Sequence, residues 1–167
     1  MSAAMTRGVV LVHSAPPALC PHVEWALSGV LDARPVLDWT AQPAEPGSWR
    51  TELSWHAPTG TGARLASALR GWPKLRFEVT EEPSAGADGA RWSHTPSLGV
   101  HHAVTGVHGD VMVHEDRLRS AVEAAAGDAT QLSRELDLVL GRAWDLELEP
   151  FRYAGDGAPV RWLHQVV

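Results

Sequence analysis

The segment Gly8-Val9-Val10-Leu11-Val12-His13 constrains the fold of this chain more than any other stretch. It is a continuous run of apolar, mostly β-branched residues, and Ser14 and two prolines follow it. A strand with one face in water alternates apolar and polar side chains, whereas an unbroken apolar run is typical of a strand buried on both faces. The sequence therefore predicts a central strand over residues 8–13.

The rest of the first half switches between helical and strand-like patterns. Residues 21–31 and residues 65–69 carry apolar side chains at helical spacing. Three further strands are predicted, and these are Val36–Thr40, Trp49–His56 and Leu75–Thr80. In the second of these, Trp49 and Trp55 share one face because side chains alternate along a strand. The order β-α-β-β-α-β is that of a ferredoxin-like sandwich.

The second half predicts a hairpin and two helices. The acidic, Gly/Ala-rich segment Glu81–Ala90 contains Pro83 and is typical of a solvated connection. Beyond it, Val100–Thr105 and Asp110–His114 predict a hairpin with a four-residue loop. The helices begin near Leu118 and Leu132, with Asp128 and Gln131 spaced like a capping box, and Val160–Val166 predicts a last strand.

These patterns predict an α+β fold in one compact unit. The N-terminal ferredoxin-like lobe covers residues 1–83, and a connection covers residues 84–90. The C-terminal lobe, with β-β-α-α order and a possible final strand, covers residues 91–167 and shares the core of the first.

Composition excludes several classes of partner and compartment. Cys20 is the only cysteine among the 167 residues, and residues 1–7 lack the basic and apolar regions of an export signal, so we expect a cytoplasmic protein. No apolar run approaches the roughly 20 residues that cross a bilayer. The net charge is -6 and the 14 Lys and Arg residues are scattered, which argues against nucleic acid as a partner.

Eight tryptophans against one tyrosine and two phenylalanines are an unusual aromatic set. Tryptophan is favoured both in cores and at protein interfaces. Any tryptophan outside the core is therefore a candidate contact residue for a partner protein, and the candidates are Trp39, Trp92 and Trp144.

The turn Thr59-Gly60-Thr61-Gly62-Ala63-Arg64 is the first candidate for chemistry. Backbone N–H groups at a strand-to-helix turn lie at the positive end of the helix dipole, so Thr59, Gly60, Thr61, Gly62 and Arg64 are candidates for binding an anion. A proton donor for such a site would be His56 or His94. The spacing matches neither a P-loop nor a dinucleotide fingerprint, and an ordinary connection remains the alternative.

Other candidate sites are weaker. Pairing the hairpin strands across residues 106–109 places His101 opposite His114, but a zinc site needs a third ligand that no spacing supplies, so we expect no metal and no cofactor. Ser14 beside His13 lacks the frame of a nucleophile elbow and is more typical of a helix cap. Cys20 near His22 is more typical of packing. The acidic row of Asp145, Glu147 and Glu149 is typical of a solvated face.

Three segments carry a resemblance to a known family. They are residues 53–65 (LSWHAPTGTGARL), residues 94–99 (HTPSLG) and residues 114–119 (HEDRLR). Together they resemble the actinobacterial domain-of-unknown-function family 3145 (DUF3145). The resemblance implies a bacterial cytoplasmic protein with a link to fatty-acid synthesis, and it supplies no catalytic residues.

Two function hypotheses follow from the sequence. The first is a non-catalytic binding or accessory protein with a protein partner, which the resemblance places near the fatty-acid synthesis machinery. The alternative is an enzyme or sensor that binds a small anionic metabolite or an acyl thioester at the turn from Gly60 to Arg64.

Overall fold

A computed structural model describes residues 3–153. Within these residues, one antiparallel sheet has the strand order β2-β3-β1-β4-β5-β6-β7. The strands are β1 (Met5–Ala15), β2 (Thr40–Ala41), β3 (Trp49–Pro58), β4 (Arg76–Glu81), β5 (Gly89–Thr95), β6 (Gly99–Thr105) and β7 (Val111–Met112). The helices are α1 (Cys20–Leu31), α2 (Thr61–Leu69), α3 (Glu115–Ala125), α4 (Ala129–Leu140) and α5 (Arg142–Arg152), and a short 3-10 turn (Pro17–Leu19) precedes α1.

Strand β1 lies in the middle of the sheet, as its apolar run predicts. It pairs with β3 on one side and with β4 on the other. Val10, Leu11 and Val12 are all buried, although neighbouring side chains point to opposite faces. The prediction of a strand covered on both faces is therefore confirmed.

Helices α1 and α2 cover the first face of the sheet. The buried residues of α1 are Val23, Ala26 and Leu27, at the i, i+3, i+4 spacing of one helix face. Leu65 and Leu69 of α2 join them against the inward side chains of β1, β3 and β4. This layer contains the main hydrophobic core.

Helix α5 covers part of the second face. Leu148 is buried, and the Trp144 Nε1 atom donates a hydrogen bond to the Gly99 carbonyl at 2.9 Å. Helices α3 and α4 pack on each other, and within the described chain no side chain of α4 is buried. Helix α5 therefore provides the main contact between the C-terminal helices and the sheet.

The second predicted strand, Val36–Thr40, is wrong in extent. Only Thr40 and Ala41 pair, with Arg50 and Trp49 of β3. The Val36 side chain is 90% exposed and Leu37 is the residue that packs into the core. The three apolar residues in this short segment after Pro35 were not sufficient to predict a strand.

The segment Glu81–Ala90 forms a tight connection within one continuous sheet. Ser84 and Ala87 exchange backbone hydrogen bonds, and β4 pairs directly with β5. Strand β5 was not predicted, because Gly89–Thr95 lacks apolar alternation. The division of the chain into two lobes stays a prediction.

The C-terminal helices differ in number from the prediction. A second helix was expected from Leu132 to Ala143, but Gly141 adopts a left-handed φ of 72° and divides it into α4 and α5. Half of the expected capping box is confirmed, because the Asp128 side chain accepts from the N–H groups of Thr130 and Gln131, but the Gln131 side chain donates to Glu135 and not back to Asp128. The predicted strand Val160–Val166 lies outside the described residues.

No described helix combines the length and apolarity that crossing a bilayer requires.

Two glycines give a matched test of the packing. An added Cβ at Gly8 would lie 1.9 Å from the Thr80 carbonyl oxygen and 2.5 Å from the Trp55 ring. We expect Gly8→Ala to lower the free energy of unfolding by more than about 2 kcal/mol, because the central strands must separate. At Gly29, in α1, no atom lies within 4 Å of such a Cβ, and we expect Gly29→Ala to raise stability by about 0.5–1 kcal/mol.

Urea unfolding of both variants measures these differences. Equal stability of Gly8→Ala and the parent would contradict the close approach of β1, β3 and β4.

Candidate functional site

A buried ionic network joins β1, β4 and α5, and Glu78 is at its centre. The His13 Nε2 atom lies 2.7 Å from Glu78 Oε2. Arg152 donates from Nε to the same oxygen at 3.0 Å and from Nη2 to the other oxygen. Ser93 Oγ adds a longer hydrogen bond of 3.4 Å. Both carboxylate oxygens are therefore satisfied inside the protein.

The electrostatics of this Glu78 network favour the ionised carboxylate. Burial alone would raise the pKa of Glu78, but the hydrogen bonds and charges of His13 and Arg152 outweigh burial and lower the pKa to about 2. Burial also acts to lower the pKa of Arg152, and the carboxylates of Glu78 and Asp145 raise it above its ordinary value. Asp145 accepts from Arg152 Nη2 at 3.0 Å. The arginine thus bridges two acids.

Further contacts fix the end of α5 against β1. Gln42 donates from Nε2 to the His13 carbonyl at 2.7 Å and to the Phe151 carbonyl at 3.3 Å. The Arg76 guanidinium lies over the Phe151 ring, 4.4 Å from its centre. Since the side chains of His13 and Glu78 are fully buried, no substrate reaches them, and the network holds the helix in place.

The candidate nucleophiles are not paired with bases. Ser14 lies within β1 and accepts a hydrogen bond from Arg76 at 3.2 Å, so the expectation that it caps a helix is wrong. His13, its neighbour, points to Glu78. Burial raises the pKa of the Cys20 thiol, which disfavours the reactive thiolate.

The turn that contains Thr59, Gly60, Thr61, Gly62 and Arg64 already holds a carboxylate. Glu81 accepts from the Gly60 N–H at 2.7 Å and from the Gly62 N–H at 2.6 Å. The side chain of Thr61 bonds to the Pro58 carbonyl, and Arg64 is exposed. Binding of an external anion here stays a prediction, and such an anion would have to displace Glu81.

The three candidate tryptophans are all half-buried. The Trp39 Nε1 atom donates to Glu24 at 2.8 Å, and the Trp92 ring stacks on His102 at 5.0 Å between ring centres. The Trp144 ring lies 4.8 Å from the His101 ring. A partner contact at Trp39, Trp92 or Trp144 stays a prediction. A tryptophan outside the candidate set, Trp25, is 75% exposed.

The predicted pairing of His101 with His114 is wrong. Val104 pairs with Met112, one residue away from the expected register, and Ser93 of β5 lies opposite His101. His114 instead precedes the first turn of α3. Within residues 3–153, no cluster of three or more His, Cys, Asp or Glu side chains could hold a metal ion.

The acidic row after Trp144 belongs to α5, so its members point in different directions. Asp145 binds Arg152, as described above, and Glu147 accepts from Ser97 Oγ at 2.6 and 2.7 Å. These hydrogen bonds from Ser97, followed by Thr95, lower the pKa of Glu147. Glu149 is exposed. The row offers no convergent pair of carboxylates for acid–base catalysis.

Among the described residues, two of the depressions are large enough to receive a partner or ligand. The α1–α2 groove has a volume of about 850 Å³ and is lined by Trp25, Gly29, Ala68 and Trp72, among others. The sheet cleft, of about 950 Å³, lies on the half of the second face that α5 leaves open, and its lining includes Arg7, Ser54, His56, Arg91, Thr105 and His108. The sequence could not assign Arg91 to a face because β5 was not recognised.

The Glu78 network predicts both a mutational and a pH effect. We expect Glu78→Gln to lower the free energy of unfolding by about 3–5 kcal/mol, because the buried Arg152 then keeps only the partly exposed Asp145 as a counter-charge. Glu115→Gln, which removes an exposed pair with Arg119, should cost less than about 1 kcal/mol. Because the folded pKa of Glu78 lies below the ordinary 4.5, its contribution is present above pH 4.5 and is lost as the pH falls toward 2.

Chemical denaturation at several pH values between 2 and 7 measures this contribution, which we expect to reach about 3 kcal/mol. A Glu78→Gln variant as acid-sensitive as the parent over this range would contradict the assignment.

The Glu81 carboxylate predicts a second stability effect. We expect Glu81→Gln to lower the free energy of unfolding by about 1–3 kcal/mol, because a neutral amide binds the two N–H groups and the helix dipole less strongly. The adjacent Glu82 forms an exposed ion pair with Arg7 and is the matched control, with an expected loss below about 1 kcal/mol for Glu82→Gln. Thermal unfolding compares the two, and an equal loss in both variants would count against the buried contact.

Comparison with known proteins places the chain in a family. A family model described as "Protein of unknown function (DUF3145)" matches residues 9–165. No curated protein matches the chain, and no solved structure matches it. Since the match covers nearly the whole sequence, the chain belongs to the DUF3145 family.

Proposed function

We propose that this protein is a non-catalytic binding module that receives a partner protein on the α1–α2 groove. The observation that carries the proposal is the exposure of Trp25, whose side chain is 75% exposed beside an apolar depression. Tryptophan is among the residues that contribute most to binding when a partner covers it.

The groove is suited to an apolar side chain of the partner. Trp25 and Gly29 of α1 lie on one side of it, and Ala68 and Trp72 lie on the other. The small residues leave space between the two indole rings. The His22 ring, 6.0 Å from the Trp72 ring, extends the aromatic surface. Removing apolar surface from water is favourable by a free energy of about 25 cal/mol per Å².

The lining of the groove carries one acid, Asp32, and one base, Arg34, so the excess of positive charge that favours an acidic partner lies in the segment that supplies Ala68 and Trp72. From Thr61 to Lys74, which includes α2, the chain carries Arg64, Arg70 and Lys74 and no acidic residue. None of these three cations forms an ion pair with a described residue. The chain as a whole has a net charge of -6, so this segment differs in sign from the rest. An acidic surface with a protruding apolar side chain is complementary to it.

The absence of catalysis is supported by the bonding of the candidate groups. Among the described residues, His13, Ser14 and Asp145 are each held in internal hydrogen bonds, as is the Glu81 carboxylate at the Gly60 turn. The alternative, an enzyme or sensor for a small anionic metabolite or acyl thioester at Gly60–Arg64, is less favoured because Glu81 holds the N–H groups that it needs.

We also propose that β1 to β4 with α1 and α2 form a ferredoxin-like unit. The order β2-β3-β1-β4, with each neighbouring pair antiparallel, supports this assignment. Both helices pack on the same face, as in the split β-α-β arrangement. Because such units have many functions, this proposal adds nothing to the choice of partner.

Residence in an actinobacterial cytoplasm and a partner from fatty-acid synthesis are further proposals. They rest on the family resemblance and on the single cysteine.

The partner proposal is tested by site-specific photo-crosslinking. A benzoylphenylalanine at position 25 should capture one dominant acidic protein, whereas the same group at position 138 should not capture it. Leu138 is the matched control because it is 59% exposed and lies on α4, away from the groove. We then expect Trp25→Ala to weaken binding of the purified partner 10- to 100-fold, while Leu138→Ala leaves the affinity unchanged.

Titration calorimetry gives the two affinities. Capture of the same proteins from both positions, or an unchanged affinity of Trp25→Ala, would rule out this groove as the docking surface.

A further inference from the structure

We infer that the sheet cleft on the second face is a binding site for a small organic anion, with the Arg91 guanidinium as the group that binds its carboxylate or phosphate. This site is separate from the α1–α2 groove, which lies on the first face. The inference does not depend on the proposed partner protein.

The floor of the cleft is formed by residues that pair across neighbouring strands. One row of paired residues crosses four strands, in the order Ser54, Val9, Thr80 and Arg91. These side chains point to the same face because residues opposite each other in a sheet share a face. In the next row toward the open end, His56 pairs with Arg7. The rows on the other side, which contain Leu11 and Glu78, are those that α5 covers.

The two arginines of the cleft, Arg7 and Arg91, differ in whether an acidic side chain pairs with them. Arg7 is neutralised by Glu82, with 2.7 Å between Nε and Oε2. Arg91 is half-buried, and its side chain has no hydrogen bond or ion pair with any residue in 3–153. A guanidinium presents a planar fork of donors that matches carboxylate and phosphate oxygens. Arg91 is thus a positioned cation whose anion the described fold does not supply.

The surroundings indicate what kind of anion fits. A volume of about 950 Å³ is in the range of small-molecule sites, which are about 300–1,000 Å³. Val9 offers an apolar patch, and Ser54 and Thr105 offer hydroxyl groups. His56 and His108 add imidazoles that donate or accept hydrogen bonds. A molecule with one acidic group and a compact, partly apolar body matches this lining.

The electrostatic effect of Arg91 gives the experiment a specific signal. His101 lies on the same face, one row from Arg91. Burial, then the charge of Arg117, then the charge of Arg91 lower the pKa of His101. An anion bound to Arg91 screens that charge, so it should raise the pKa of His101.

The test uses phenyl phosphate and benzoate as probes, which separate phosphate from carboxylate recognition. Binding is followed by nuclear magnetic resonance of the full-length protein, with the pKa of His101 measured in the presence and absence of each probe. The variants are Arg91→Gln and Arg91→Lys, and the matched control is Arg134→Gln, which removes an exposed arginine of α4 outside the cleft.

We expect at least one probe to bind the parent and Arg134→Gln equally, to shift signals of cleft residues and to raise the pKa of His101. Arg91→Gln should bind at least tenfold more weakly, and its His101 should start at a higher pKa that the probe no longer changes. Arg91→Lys, which keeps the charge without the fork, should fall between them.

Three results would overturn the inference. They are no binding of either probe to the parent, an equal loss of binding in Arg91→Gln and Arg134→Gln, and signal shifts confined to residues outside the cleft. An Arg91→Gln variant with an unfolded spectrum leaves Arg91→Lys to decide, and parental affinity of a folded Arg91→Lys would then exclude the guanidinium fork.

Discussion

The ion pair between Glu78 and Arg152 is the interaction on which the C-terminal half of the structure depends. Removing two charges from water is costly, and close pairing with several hydrogen bonds is needed to offset that cost. Here the carboxylate bonds to Arg152, His13 and Ser93 at once. Because apolar residues would tolerate several packing angles, this network gives α5 a defined position that Leu148 alone would not.

The position of α5 in turn divides the second face of the sheet. The helix covers the rows around Leu11 and His13 and leaves the rows around Val9 and Arg7 open. Helix α3 packs on α4 and α4 contacts α5, and α4 has no buried side chain within the described residues. The sheet cleft is therefore a consequence of where the buried arginine attaches.

Hydrophobic periodicity was sufficient to predict the first layer. The pattern and the structure agree for each element of this layer. The unbroken apolar run of β1 is buried on both faces, the alternating strand β3 is buried mainly on one face, and α1 and α2 each bury their apolar face. Trp25 also carried a signal, because it lies off the face formed by Val23, Ala26 and Leu27. Trp25 was not among the candidate tryptophans because its position relative to that helix face was not considered.

The second layer depends on polar contacts that periodicity does not reveal. Glu78 alternates with Phe77 and Val79 and therefore resembles a solvated residue, although it is fully buried. In α5, leucines alternate with Asp145, Glu147 and Glu149, a pattern that also fits an exposed strand. The residues that bond to Glu78 and Glu147 are Arg152 and Ser97, and both are distant in sequence from the acid that they bind, so a local window does not reveal them.

Strand β4 shows how the two layers and the inferred ligand site are related. Glu81 points to the first face and binds the N-terminus of α2, and Glu78 points to the second face and binds α5. Each buried acid thus positions one helix. Arg91, on the neighbouring strand and opposite Thr80 of β4, has no corresponding acid within the described residues. Glu78 and Glu81 both find partners within the fold, whereas the Arg91 side chain finds none among the described residues. This contrast supports the inference that Arg91 binds an anion at the edge of the open cleft.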